Sequence, residues 1–217
     1  MGIKGSDRTD DCYIRSTFES LVQAIIPATP LTARILEPVQ LPGALELKVY
    51  GYVIWILDHS IAPPVKTKLN IRSMTRSTAE LLDQGAIQLI KTGQNVYPLI
   101  INSFHCGGPF TKLSMVDRLR SLTLIERLEL NLENLSPPYQ NNPTLIHTMI
   151  DVLNQLTLFG FYSEWTGHGT TGQFTPEFRK VEYFPPGWVQ SHYPGPSFAY
   201  RDFRGFLAFM PHKKGKV

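Results

Sequence analysis

Proline interrupts this chain where a regular element would otherwise run on, and the apolar residues between the interruptions repeat at helical spacing. Pro27 with Pro30, Pro63-Pro64 and Pro137-Pro138 each mark a stop, because proline lacks the N–H that a helix or a sheet ladder requires. Ahead of the first stop, Ser16-Thr17-Phe18-Glu19 has capping-box spacing, and Phe18, Leu21, Val22 and Ile25 form one stripe; together they predict a helix opening at Ser16. After Pro42-Gly43, the residues Leu45, Val49, Tyr52 and Ile56 keep the same period in a segment apolar nearly all round, which fits a central helix. Its β-branched content and Gly51 leave a strand as the alternative.

Three more helices follow the same logic. Ser77-Thr78-Ala79-Glu80 again has the capping-box pattern, with a stripe from Leu82 to Ile90 and Gly93 placed as a breaker. Gln94 to Thr111 suits an extended connection. Ser114 with Asp117 opens a helix carrying Val116, Leu119 and Leu122 towards Leu130, with Arg118, Arg120, Glu126, Arg127 and Glu129 mostly on its wet side. Asn142-Pro143 is a cap and first-turn pair for a stripe from Leu145 through Met149, Val152, Leu153 and Leu156 to Phe159.

Beyond Gly160 the character changes. Frequent glycine and proline preclude a long regular element, yet Phe161, Tyr162, Trp165, Phe174, Phe178, Tyr183, Phe184, Trp188, Tyr193, Phe198 and Tyr200 are too apolar to leave in water. These aromatics cover either the chain's own helices or a partner.

Charge and targeting signals exclude several roles. A formal charge of +3 over 217 residues is too small for nucleic-acid binding, and part of it lies in the tail from His212 to Lys216. The longest apolar run, 49–57, falls short of the roughly 20 residues of a membrane helix. Residues 1–15 are polar, without an apolar signal core or twin arginine, which favours a cytoplasmic setting. Cys12 and Cys106 read either as two reduced thiols or as a disulfide to a partner chain.

No catalytic set assembles from the sequence. The six histidines lack metal-ligand spacing, and His105-Cys106 has no third ligand. Gly167 to Gly172 mimics G-x-G-x-x-G, but no strand precedes it and no helix opens from it, so it reads as a flexible loop. Glu126, Glu129 and Glu133 fit a solvated helix face, and Asp151 beside an apolar stripe stands alone.

The order of segments resembles the gluconate 2-dehydrogenase subunit 3 family. The likeness lies in Phe18 to Pro27, in Pro42-Gly43-Ala44 with Val49 to Asp58, and in Phe110 to Glu129. It is strongest in Leu156 to Ser163, followed by Tyr193-Pro194-Gly195-Pro196 and Tyr200. The resemblance implies a small subunit without a cofactor of its own, bound to a glucose-methanol-choline-type flavoprotein that holds FAD and often passes electrons to a cytochrome subunit. In that family the small subunit supports maturation and typically carries a twin-arginine signal. The absence of that motif from residues 1–15 shifts the expectation from export to stabilisation.

The expected architecture is an all-α bundle of about five helices over 16–162. A flexible segment 1–15 precedes it, an irregular aromatic arm 163–210 follows, and a basic frayed tail 211–217 ends the chain. Catalysis is assigned to the flavoprotein, with Tyr162, Trp165, Phe174, Tyr183, Trp188, Tyr193 and Tyr200 as the candidate interface residues. The alternative is a free-standing helical protein that closes Trp165, Tyr183 and Trp188 over a small ligand.

Overall fold

The computed structural model describes residues 4–29, 42–68, 73–100 and 104–195. Tyr200, Phe198 and the 211–217 tail lie outside them. The described residues are helical and contain no strand, as the periodicity requires, so the strand alternative for the second segment falls away. Five long helices, α1 (Lys4–Ile25), α2 (Val49–His59), α4 (Met74–Lys91), α5 (Met115–Glu126) and α6 (Pro143–Tyr162), form the bundle; α3 (Pro63–Lys68) and α7 (Pro186–Gln190) are short.

The central element is α1 rather than α2. It packs on α2, α4, α5 and α6, and Phe18, Leu21 and Val22 are fully buried. Its start also differs from the capping-box expectation, since the helix runs from Lys4, through residues assigned to a flexible segment. The Ser16-Thr17 hydroxyls sit inside the core, and Thr17 donates back to the Tyr13 carbonyl at 2.9 Å instead of capping.

Three further boundaries move for identifiable reasons. The cap of α4 is Ser73, whose Oγ accepts the Arg76 N–H at 3.1 Å. The hydroxyls of Ser77 and Thr78 bond instead to the Pro137 carbonyl and to Tyr139, fastening the 136–139 turn to α4. Pro63-Pro64 does not end an element but begins α3, where a missing N–H costs nothing. The fifth helix stops at Glu126, because the chain reverses at Leu128 with φ 58° and turns that side chain towards the core. Glu129 and Glu133 therefore do not share a helix face with Glu126.

Other features behave as the residue types demand. Ser114 caps α5, Asn142 caps α6, and Gly93 takes φ +65° just past α4.

Arg118 overturns its expected exposure. It is 1% exposed, and its guanidinium donates to the Ser20 carbonyl at 3.2 Å, the Gln23 side chain at 2.8 Å and the Thr111 carbonyl at 2.9 Å. It also lies 5.3 Å from the Phe104 ring centroid. Burial lowers its pKa to about 10, leaving it charged at neutral pH. Neighbouring Asp117 is buried as well, accepting the Val96 and Tyr97 N–H groups at 2.8 and 3.0 Å and the Ser114 hydroxyl at 2.8 Å.

Both expected states of the cysteines are corrected by one bond. Cys12 on α1 and Cys106 form a disulfide within the chain, with Cα atoms 5.6 Å apart. The two cysteines are 94 positions apart in sequence, and they meet because α1 reaches back beyond Ser16, so that Cys12 faces the connection leading to Phe110. Beside the bond, the Tyr13 hydroxyl donates to Asp83 of α4 at 2.6 Å, and the Phe110 N–H donates to the same carboxylate at 2.9 Å. Burial pushes both the Tyr13 hydroxyl and the Asp83 carboxyl above their ordinary pKa ranges.

Two outcomes follow from these junctions. Replacing Cys12 and Cys106 by Ser releases a long loop in the unfolded chain and lowers unfolding free energy by about 4 kcal/mol in urea titration, an upper bound from loop-closure entropy. At Asp117, burial opposes ionisation but the Val96, Ser114 and Tyr97 donors outweigh it, so the folded carboxyl titrates below its unfolded value. Its stabilisation is therefore present above the ordinary carboxylate range and disappears as pH falls through the lowered value. Asp117→Asn costs about 1–3 kcal/mol at neutral pH, and thermal melts across the acid range show that deficit shrinking as pH falls.

Candidate partner-binding surface

From Ser163 the chain folds back over α2 and α6 in short turns. Ser163 caps the first, accepting the Trp165 N–H at 3.2 Å, and Trp165 lays its ring against Tyr52 of α2 with centroids 5.1 Å apart. Arg179 then places its guanidinium 4.3 Å from the Trp55 ring centroid and 5.4 Å from that of Trp165, while its Nε donates to the Phe174 carbonyl at 2.9 Å. One cation thus ties α2 to the arm at two rings.

The glycine-rich stretch is ordered, which corrects its reading as a flexible loop. It forms two consecutive 3-10 turns, Glu164–Gly167 and Gly169–Thr171. The Glu182 and Tyr183 N–H groups both donate to the Gly167 carbonyl, at 2.8 and 3.0 Å. In return, the Glu182 carboxylate accepts the Thr170 hydroxyl at 2.7 Å and the Thr170 N–H at 3.1 Å, which holds its pKa below the usual carboxylate range. His168 is buried, with Nδ1 3.2 Å from the Lys180 carbonyl. Of the N–H donors that a phosphate would need here, those of His168, Thr170 and Thr171 are already committed, to the Trp165 carbonyl, Glu182 and the His168 carbonyl.

The arm closes on the end of α6. Gly187 of α7 lies directly on the Phe161 carbonyl and the Tyr162 backbone, where a Cβ has no room. Trp188 makes edge contacts with Phe184 and Tyr193, at centroid separations of 5.5 and 5.0 Å.

The candidate interface residues divide into two groups. Trp165 and Trp188 are half-buried and hold the arm's own fold. Tyr162, Phe174, Tyr183 and Tyr193 stand exposed, Tyr183 at 60%. Phe159, Phe178 and Phe184, absent from the expected set, are exposed too, Phe178 at 69%. The apolar stripe expected to reach Phe159 turns away before it: the core face of α6 runs through Leu153, Thr157, Gly160 and Phe161, which leaves Asp151, Leu158, Phe159 and Tyr162 facing outward.

An open groove of about 620 Å³ runs between the 44–48 turn and the arm, with Glu46, Lys48, Tyr50, Trp165, Phe174 and Tyr183 among its walls. Trp188 is not part of it, so the three aromatics proposed to close over a ligand do not converge. Among the described residues no group of three or more His, Cys, Asp or Glu side chains could hold a metal ion, and no helix is long and apolar enough to cross a membrane. The molecule therefore belongs to a broad class, an all-α bundle plated by an aromatic arm. Comparison with models of known families, with curated proteins and with solved structures finds no match to this chain.

Gly187→Ala forces the arm off α6. Overpacking of this kind costs about 1–3 kcal/mol, read in urea titration, and limited proteolysis then cuts first between residues 163 and 195.

Proposed function

We propose that the chain is a non-catalytic small subunit that binds and stabilises an FAD-dependent dehydrogenase of the glucose-methanol-choline type. The observation that carries this is the number of aromatic side chains left exposed along the arm and the end of α6, Phe159, Tyr162, Phe174, Phe178, Tyr183 and Phe184. Such rings offer large apolar area with few rotatable bonds and are enriched in protein interfaces. The segment order described above, from Phe18 to the Tyr193-Pro194-Gly195-Pro196 cluster, supplies the identity of the partner, and catalysis with its flavin belongs to that partner. A cytochrome subunit completes the electron path in this proposal.

The disulfide bears on where this happens. Bonds of this kind persist in oxidising compartments and are rare where glutathione and thioredoxin keep thiols reduced. It favours an oxidising compartment over the cytoplasmic setting suggested by residues 1–15. The small-ligand alternative retains only the open groove, two of whose walls, Trp165 and Tyr183, come from its expected set.

Co-expression with the flavoprotein gene nearest to this one yields a stable complex containing FAD. Phe178→Asp with Tyr183→Asp weakens that complex at least tenfold by titration, because a charge is placed in a desolvated interface. Separate elution of the two chains, with equal flavin loading of the dehydrogenase in the absence of this one, contradicts the proposal.

A further inference from the structure

The open groove of about 620 Å³ beside the arm falls within the size range of small-molecule sites, roughly 300–1,000 Å³. Part of its wall is the first turn of α2, where Gly51 has no packing reason to be glycine: a Cβ built there meets nothing within 4 Å. Glycine weakens a helix relative to alanine, so what the missing side chain provides is room in the groove. Thr166 of the arm, on the same groove, buries its Oγ1 without a hydrogen-bond partner. A buried hydroxyl left unpaired is costly, and a ligand that reaches it recovers that cost.

The charges of the walls narrow the class of ligand. They are one carboxylate, Glu46, and one ammonium, Lys48, both exposed and two positions apart in sequence. An anion such as a nucleotide or a sugar acid would meet the carboxylate along with the cation, so neither sign is selected. A purely apolar ligand would cover these groups without bonding to them. One Glu46 oxygen already accepts the Gly43 N–H at 2.9 Å, which fixes that carboxylate on the rim. Gln173, also exposed on the groove, adds an amide that both donates and accepts. A hydroxyl likewise does both, and can therefore answer a carboxylate, an ammonium and an amide in turn. Beside these polar groups stand the Phe174 and Tyr183 rings, each more than half exposed, with apolar area to offer.

We propose that the groove binds a neutral polyhydroxylated ring compound, a mono- or disaccharide. Its hydroxyls bond to Glu46, Lys48 and Gln173, and its C–H face lies against the Phe174 and Tyr183 rings. The site belongs to this chain alone and does not depend on the flavoprotein.

The test titrates the isolated, full disulfide-bonded chain with D-glucose, D-galactose and maltose, and with D-gluconate as the charged counterpart. Tryptophan fluorescence reports on binding, because Trp165 is part of the wall. At least one neutral sugar binds saturably, with a Kd on the order of 1 mM, and gluconate binds more weakly than that sugar. Gly51→Leu fills the groove and lowers affinity roughly tenfold, while its circular-dichroism melt stays unchanged or rises, since leucine is the better helix former. Phe174→Ser weakens binding severalfold, and Phe178→Ser, away from the groove, leaves it unchanged. Absence of saturable binding by all three neutral sugars overturns the proposal, as does gluconate binding as tightly as any of them. Equal loss from Phe178→Ser overturns it as well, and so does a folded Gly51→Leu that binds as the parent does. If Gly51→Leu does not fold, Lys48→Gln with Gln173→Ala takes its place, and undiminished affinity in that pair has the same meaning.

Discussion

A buried guanidinium holds the bundle together. Taking a cation out of water costs several kcal/mol unless acceptors surround it, and the acceptors of Arg118 come from three places: Ser20 and Gln23 on α1, and Thr111 in the 3-10 turn before α5. None of the three can retreat without leaving the charge stranded. Two more long-range fastenings lie on the same junction, Cys12–Cys106 joining α1 to the connection and Asp83 joining α4 to both through Tyr13 and Phe110. The fully buried Phe18, Leu21 and Val22 stripe of α1 can then serve as the surface on which α2, α4, α5 and α6 assemble.

Local chemistry was legible where it is decided locally. Ser114, Asn142-Pro143 and Gly93 act as their types dictate, because a cap or a left-handed stop is settled within a few residues. Misreadings arose where a distant group won. Ser77 and Thr78 had a better use against the 136–139 turn than in capping α4, and Ser16-Thr17 lay inside a helix whose earlier turns are drawn in by Cys12 and Tyr13. Arg118 falls near Arg120 among charged neighbours that look solvated; two of its three acceptors, Ser20 and Gln23, arrive only with α1. The disulfide joins residues too distant in sequence for any spacing rule to pair them.

In the arm, sequence showed that the aromatics needed cover but not which of them found it. Trp165 and Trp188 have ring neighbours within the chain, whereas Phe178 and Tyr183 do not share that cover, and no local pattern separates the two kinds. The aliphatic face around Val96 and Val116 was less legible still. Its halves are separated by the Cys106 connection and are brought near each other by the carboxylate of Asp117, which gathers the Val96 and Tyr97 amides, and by the Ile100 N–H on the Lys112 carbonyl. The described residues thus leave two unlike sets of apolar side chains exposed, ring-rich along the arm and aliphatic around Val96 and Val116.

The mutual clamp between Gly167 and the 182–183 backbone, returned by Glu182 to Thr170, has a consequence for recognition. The backbone of the arm is cross-braced here, so this part of it is folded before anything docks. Little conformational entropy remains to be lost on association. Calorimetry of such an encounter has the character of two preformed solids meeting, with a heat-capacity change set by the area covered and no added contribution from a segment folding as it binds.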